Sequence, residues 1–223
     1  MSLSTLELAA NTNGVRRRAV AFDVSRTWGP GCACLELELG DITHENTDAI
    51  VNPAGPGLVD LSIRRAAGPE LLEAFHRGTF DLPGGKLARG YALLTPGFGL
   101  PAANVIHCAP PVYSDGAVRA REQLAACHSA ALRTARENGL LSISFPAMAT
   151  GVLRYPLREA ADVAIGTVVE ALGALDGVRL VRFVFTRQAA LDAYVDAAWT
   201  LLCRDGERSK SARRFPLAAS DCR

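Results

Sequence analysis

Apolar and charged residues alternate with period two over Cys34–Leu39, which reads Cys-Leu-Glu-Leu-Glu-Leu and predicts a half-buried strand. Short apolar runs at 49–52, 104–109, 141–145 and 180–185, bounded by Asp, Pro, Asn or Gly, predict buried strands, and 91–95 predicts a weaker one. Between them the apolar positions take a helical period. The helical stretches are 58–76, broken near Gly68-Pro69, then 119–138, stopped by Gly139, then 157–172 and 189–202. Strands alternating with helices of this length predict an α/β layered fold, with a mostly parallel sheet and helices on both faces.

The chain has 223 residues, of which 49% are hydrophobic and 21% charged, the balance of a soluble globular domain. No linker or repeat divides its middle. Residues 1–18 are polar without a clear period and read as a loose leader, 19–203 as one domain, and 204–223 as a disordered tail rich in Arg, Ser and Asp. With 24 basic and 23 acidic side chains the net charge is +1, which supplies no general pull toward nucleic acid. No run reaches the roughly 20 apolar residues of a spanning helix, and the start lacks a basic region followed by an apolar core. A cytoplasmic monomer is expected, with no membrane partner. The six cysteines match no zinc or redox spacing and read as reduced structural thiols. Only Lys86 and Lys210 are lysines; the heavy use of Arg and Ala suggests a GC-rich bacterial genome.

In parallel sheets ligands sit beyond the carboxyl ends of the strands. Three strand ends stand out: Gly40-Asp41-Ile42-Thr43, then 52–57 (Asn-Pro-Ala-Gly-Pro-Gly), then 146–153 (Pro-Ala-Met-Ala-Thr-Gly-Val-Leu). The second and third are small-residue turns feeding helix N-termini, where backbone N–H groups and the helix dipole favour an anion. Together they could hold a diphosphate without a lysine. The Walker and dinucleotide glycine patterns are absent, as are the zinc-protease and serine-hydrolase motifs. No metal-ligand cluster and no cofactor signature appears. His107 and Cys108 are adjacent in a strand and so face opposite sides, which argues against a dyad. Cys127 and His128, adjacent on a helix, do not face each other either. His44 and His76 are expected on the surface.

These pieces occur in a recognisable order: Gly40-Asp41-Ile42-Thr43, Asp48-Ala49-Ile50-Val51-Asn52, Arg65-Ala66-Ala67-Gly68, Thr95-Pro96-Gly97, Val105-Ile106-His107, then Phe145-Pro146-Ala147, Thr150-Gly151 and Tyr155-Pro156. The set resembles the macrodomain family, which binds ADP-ribose, over about residues 35–202. The resemblance implies a three-layer α/β/α sandwich around a central mixed, mostly parallel sheet. It places Asp41 on the adenine amino group with the Ile42 backbone beside it, and Phe185 against the adenine face. Ala149, Thr150, Gly151, Val152, Leu153 and Arg154 fall on the diphosphate loop, with Gly55 and Gly57 in the facing turn. Asn52 matches the first asparagine of the family's Asn-Ala-Ala-Asn segment, and Asp60 the catalytic aspartate of its hydrolase-type members. Other roles stay open: Asp41 as a cap, Phe185 in the core, Asp60 as a helix N-terminal carboxylate.

The chain also departs from the pattern. Gly55 stands where a second asparagine is common, and Pro56-Gly57 replaces a run of three glycines. Arg154 replaces a glycine before Tyr-Pro, where it could reach a phosphate or narrow the cleft, and Leu153 replaces an aromatic. The resemblance implies a hydrolase that removes mono-ADP-ribose from modified side chains, Asp or Glu esters first, with Asp60 and Asn52 catalytic and ADP-ribosylated proteins as partners. The shortened turn keeps open a reader of ADP-ribose without catalysis and a domain that has lost nucleotide binding; an O-acetyl-ADP-ribose deacetylase would use the same pocket and ester chemistry.

Overall fold

The computed structural model describes residues 3–4, 7–10, 16–23, 33–113, 117–174 and 177–203. Its strands are β1 Leu3–Ser4, β2 Glu7–Ala10, β3 Arg16–Asp23, β4 Cys34–Leu39, β5 Ala49–Pro53, β6 Ala92–Pro96, β7 Asn104–Cys108, β8 Ser142–Phe145 and β9 Leu180–Phe185. The helices are α1 Leu58–Ala67, α2 Pro69–Thr79, α3 Ala117–Glu137, α4 Leu157–Ala174 and α5 Gln188–Cys203. One mixed sheet runs β1-β3-β4-β9-β8-β5-β7-β6, with β2 also on β3. The central pairs β4–β9, β9–β8, β8–β5 and β5–β7 are parallel, while β3–β4 and β6–β7 are antiparallel.

The period-two pattern decides which residues meet which layer. Leu35 and Leu37 of β4, Ile143 and Phe145 of β8, and Phe183 of β9 face α3, α4 and α5, where they pack with Leu124, Val168 and Tyr194. Their alternates turn to the other face, where Ile50, Val105 and Val184 meet Ile63 and Ala67 of α1 and Leu71 of α2. The result is the three-layer sandwich that the resemblance implies. Gly68 separates α1 from α2 with φ 95°, a left-handed conformation that residues with a Cβ avoid, and Pro69 opens the next helix. At Gly97 a Cβ would come within 1.9 Å of the Ala102 carbonyl oxygen, so no larger residue fits.

Two sequence-based expectations need comment. The loose leader expected over 1–18 contains β1, β2 and the start of β3, and β3 pairs with β4 from Ala19↔Glu38 to Asp23↔Cys34. Three consecutive arginines hide the strand from a hydrophobicity pattern, but backbone pairing with β4 and the packing of Phe22 on Trp199 at 6.2 Å stabilise it. The expected tail, 204–223, lies outside the described residues. Cys108 and Cys127 are free thiols, both buried.

On the α1–α2 face the sheet also carries a buried charge cluster. Arg182 of β9 stands opposite Glu36 in register. Its guanidinium donates to Glu36 at 2.7 Å and to Glu45 at 2.7 Å, and Glu38 lies 3.9 Å away. Removing the cation strands carboxylates that water reaches poorly. Arg182→Ala is therefore expected to lower the unfolding free energy by about 3–5 kcal/mol at neutral pH. Denaturant melts of the two proteins at neutral pH check it.

Candidate active site

Parallel pairing aligns the carboxyl ends of β4, β9, β8, β5 and β7 along one rim. The segments that follow these strands line a single cleft of about 790 Å³. Asp41 and Ile42 follow β4; Thr186 and Arg187 follow β9; residues 146–153 follow β8; residues 54–59 follow β5; Pro110 and Val112 follow β7. From β4 to β7 is four strand spacings, or roughly 19 Å. The cleft is therefore long and is crossed in its middle by the two small-residue turns.

At the β4 end, Asp41 caps the turn Ile42–His44: one carboxylate oxygen accepts from the Thr43 N–H at 2.9 Å and the Thr43 hydroxyl at 2.8 Å. Asp41 thus both shapes its own loop and borders the cleft. Phe185 has two aspects as well. It is buried against Tyr194, with ring centroids 4.6 Å apart, and it also lines the cleft.

In the turn after β8, Ala149 and Arg154 take left-handed backbone, φ 65° and 57°. Such conformations cost non-glycine residues about 1 kcal/mol or more each. They are held by the Tyr155 N–H to Ala149 oxygen bond at 3.0 Å and the Arg154 N–H to Gly151 oxygen bond at 2.9 Å. The Tyr113 N–H donates to the Leu153 oxygen at 3.0 Å, strapping the turn from outside. The backbone N–H groups of Gly151, Val152 and Leu153 donate to no acceptor among the described residues. Across the cleft, the first N–H groups of α1 have no partner within the helix, as at any helix start. A Cβ at Gly55, Gly57 or Gly151 would meet nothing within 4 Å. Those three glycines are thus not demanded by packing; they keep open the space between the turns. Arg154 is exposed and does not line the cleft.

Asp60 and Asn52 take a different position. Asp60, in the first turn of α1, is 3% exposed and forms an ion pair with Arg64 one helical turn on. Asn52, at 1%, donates from Nδ2 to the Asp60 carboxylate at 2.7 Å and lies 3.2 Å from His107 Nδ1. Burial, and secondarily the nearby charge of Arg64, lowers the His107 pKa to about 4, so its ring is neutral near pH 7. A neutral ring accepting from Asn52 at Nδ1 carries its proton on Nε2, which then donates to the Thr95 hydroxyl at 2.8 Å. Asn52 Oδ1 has no partner among the described residues. This cluster borders a water-sized cavity of about 10 Å³ next to the main cleft, and Ala54 lines both. Asp60, Asn52 and Arg154 are thus absent from the cleft lining, whereas Asp41, Ile42, Gly55, Gly57, Ala149, Thr150, Gly151, Val152, Leu153 and Phe185 are present in it.

The family model of the macro domain matches residues 51–164, just over half of the chain. The chain belongs to the macro domain family. It is 42% identical over 162 residues to a macro domain-containing protein of Chlorobaculum tepidum, covering 70% of this chain and 91% of that one. It is also 42% identical over 143 residues to an O-acetyl-ADP-ribose deacetylase of an Enterobacter species, covering 62% and 78% respectively. Among solved structures, the Oceanobacillus iheyensis macrodomain with ADP superposes with a TM-score of 0.78 at 34% identity, covering 85% of this chain and all of that one.

Sequence reasoning about this macrodomain missed the cleft residues Leu58, Pro110, Val112, Thr186 and Arg187. No motif marks them. The loop after β7 would have been found only by knowing that β7 lies beside β5, which the parallel ladder from Ala49↔Asn104 to Pro53↔Cys108 establishes. Among the described residues no group of three or more His, Cys, Asp or Glu side chains could hold a metal ion, and no helix is long and apolar enough to cross a membrane.

Two buried histidines make a pH prediction. Burial lowers the pKa of His128 to about 4, as it does that of His107, against 6.5 for an exposed ring. Between pH 6.5 and 4 the unfolded chain therefore binds protons that the folded chain refuses, and stability falls as the pH is lowered through that window. His128→Leu, which also removes the ring N–H bond to the Leu124 oxygen at 2.9 Å, is expected to flatten this fall by up to one proton's worth of slope. Thermal melts of both proteins at half-unit pH steps check it.

Proposed function

We propose that this macrodomain binds ADP-ribose along the cleft and hydrolyses an ester at the distal ribose, removing mono-ADP-ribose from aspartyl or glutamyl side chains; O-acetyl-ADP-ribose carries the same kind of bond. The observation that carries the reading is the pair of amide-lined turns facing one space that glycines leave open. Backbone N–H groups at the turn after β8 and at the start of α1 suit a diphosphate. In this reading Asp41 and Ile42 take the adenine edge, Phe185 its face, and Ala149 to Leu153 the phosphates, while Arg154 stays outside the cleft. Asn52 and Asp60 act next to the distal ribose, orienting or deprotonating the attacking water. The names carried by relatives, among them O-acetyl-ADP-ribose deacetylase, support ester chemistry.

A second reading, a reader of ADP-ribose without turnover, is favoured by one observation: Asp60 is gripped by Arg64 and Asn52 and does not line the cleft. Titration with ADP-ribose alongside an assay of ester cleavage separates the two, since binding without turnover of any ester supports the reader. Thermal shift serves as the binding test, because ligand at 100 times its Kd adds about 2.7 kcal/mol.

Gly151→Val puts a side chain where nothing stands within 4 Å, at a residue whose φ is not left-handed. It is expected to keep the melting temperature within a few degrees while weakening ADP-ribose binding tenfold or more, as isothermal titration would show. Asp60→Asn keeps an acceptor for Asn52 and removes the charge. Its expected effect is a loss of about 10²-fold or more in kcat with ADP-ribose affinity within a few-fold. An unchanged rate would reassign Asp60 to folding alone.

A further inference from the structure

Asn52 and His107 stand side by side because β5 and β7 pair in parallel register, with the two residues as Cα partners. Thr95 comes from the next strand: β6 pairs with β7 antiparallel, and Thr95 lies two residues along from Leu93, the partner of His107. The three side chains thus form a row on one face of the sheet, each at 5% exposure or less. Phe75 of α2 packs against the His107 ring with centroids 4.9 Å apart. The ester chemistry proposed for the cleft uses neither His107 nor Thr95. Both are nevertheless polar groups in a core, where polarity costs stability unless it is partnered.

Proton counting decides what each group does. The Asp60 carboxylate only accepts, so the Asn52 atom 2.7 Å from it is the amide nitrogen. That nitrogen has two protons. One goes to Asp60, and the other is left for His107 Nδ1, 3.2 Å away. Nδ1 therefore accepts, and the ring's own proton sits on Nε2, which donates to the Thr95 hydroxyl at 2.8 Å. Both amide protons of Asn52 are then engaged by the protein. Its Oδ1 is left over, with no partner among the described residues. Asn52 and Asp60 border the water-sized cavity beside the cleft, so a water or sugar hydroxyl that reaches Asn52 meets an acceptor.

We propose that His107 is a positioning residue, which through Nδ1 holds the Asn52 amide in the one orientation that leaves Oδ1 as a fixed acceptor for the attacking water or a ribose hydroxyl, while Thr95 holds His107 in the tautomer that does so. The inference rests on the catalytic reading of Asn52 and Asp60 and deepens it. Asp60 alone does not fix the amide, because a single N–H bond leaves the carboxamide free to pivot about it. The second bond removes that freedom. Orientation of this kind carries rate, since a misplacement of about 1 Å can cost about 100-fold. Burial keeps the ring neutral near pH 7, so the acceptor persists there.

The first test needs no variant. Nitrogen NMR of the histidine side chains in the whole chain at pH 7 is expected to show His107 neutral with its proton on Nε2; a proton on Nδ1 overturns the proposal. The second test is a double-mutant cycle on whichever ester the chain cleaves, O-acetyl-ADP-ribose or a glutamyl-ADP-ribosylated protein. His107→Leu is expected to lower kcat by about 10- to 100-fold and to leave the Kd for ADP-ribose within about threefold. In an Asn52→Ala background no amide remains to be oriented, and the same substitution is expected to change kcat by less than about twofold. Losses that multiply would show that His107 acts on the fold and not through Asn52, overturning the proposal and leaving the hydrolase reading standing. Thermal melts check folding. Should His107→Leu not fold, the cycle is run with Thr95→Val, which keeps the side chain's shape and removes the hydroxyl that anchors the tautomer. Its expected loss is about three- to tenfold, again vanishing beside Asn52→Ala. An unchanged kcat in the variant used also overturns the proposal. A chain that binds ADP-ribose and cleaves no ester overturns the catalytic reading and this role with it.

Discussion

The cleft depends on one constraint: five neighbouring strands run parallel, so their carboxyl ends share a rim. Nothing else would bring loops from positions 41, 54, 110, 150 and 187 around one space. The parallel register is itself fixed by side chains at the opposite rim. Asp48, just before β5, accepts from the N–H groups of Leu141 and Ser142 at 2.8 and 2.9 Å, and its own N–H donates to the Ser142 hydroxyl at 2.8 Å. The Thr47 hydroxyl lies 2.9 Å from both the Ala49 carbonyl oxygen and the Ser144 hydroxyl, donating to one and free to accept from the other. A slip of one residue at this end would turn every core side chain of β5 to the wrong face.

The chain Thr95–His107–Asn52–Asp60–Arg64 shows how strongly burial can determine the state of a site. Each link specifies the next: the aspartate fixes the asparagine amide, the amide fixes the histidine tautomer, and the tautomer fixes the threonine hydroxyl. A buried charge in such a chain is tolerable only because Arg64 and Asn52 attend it. The same partners restrain it from swinging into the cleft. Arg64, partly exposed on α1, and Asn52 thus hold the carboxylate within the fold.

Much of the fold could be read because β4 alternates apolar and charged residues and β5, β7, β8 and β9 are short apolar runs, which set the strand-to-loop boundaries to within a residue or two. The candidate site was legible to the same extent, since its two turns directly follow β5 and β8. What escaped depended on three-dimensional neighbours. β3 begins with three arginines and is a strand because β4 offers it an edge. The burial of Asp60 follows from Arg64 four residues on, which a helical reading contains, but also from Asn52 and His107, which sit side by side only because β5 and β7 pair. Val112 needed the strand order, and no local signal supplies that.

The composition carries a last lesson about anion binding. Of the residues that line the cleft only Arg187 is cationic, so side-chain charge offers a diphosphate little there. Its alternative is geometric. Peptide N–H groups are short, rigid donors with no rotamer entropy to lose, and helix starts add a fixed partial positive charge. Such donors work only if no side chain intrudes, which explains why the space around Gly55, Gly57 and Gly151 stays open although the protein's own packing would admit a Cβ. They also work only if the turn is held before the ligand arrives. The left-handed backbone at Ala149 and Arg154 stores about 1 kcal/mol or more each, and the bonds from Tyr155, Arg154 and Tyr113 hold it. Strain held in a turn whose N–H groups meet no acceptor among the described residues is what a preorganised anion cradle requires.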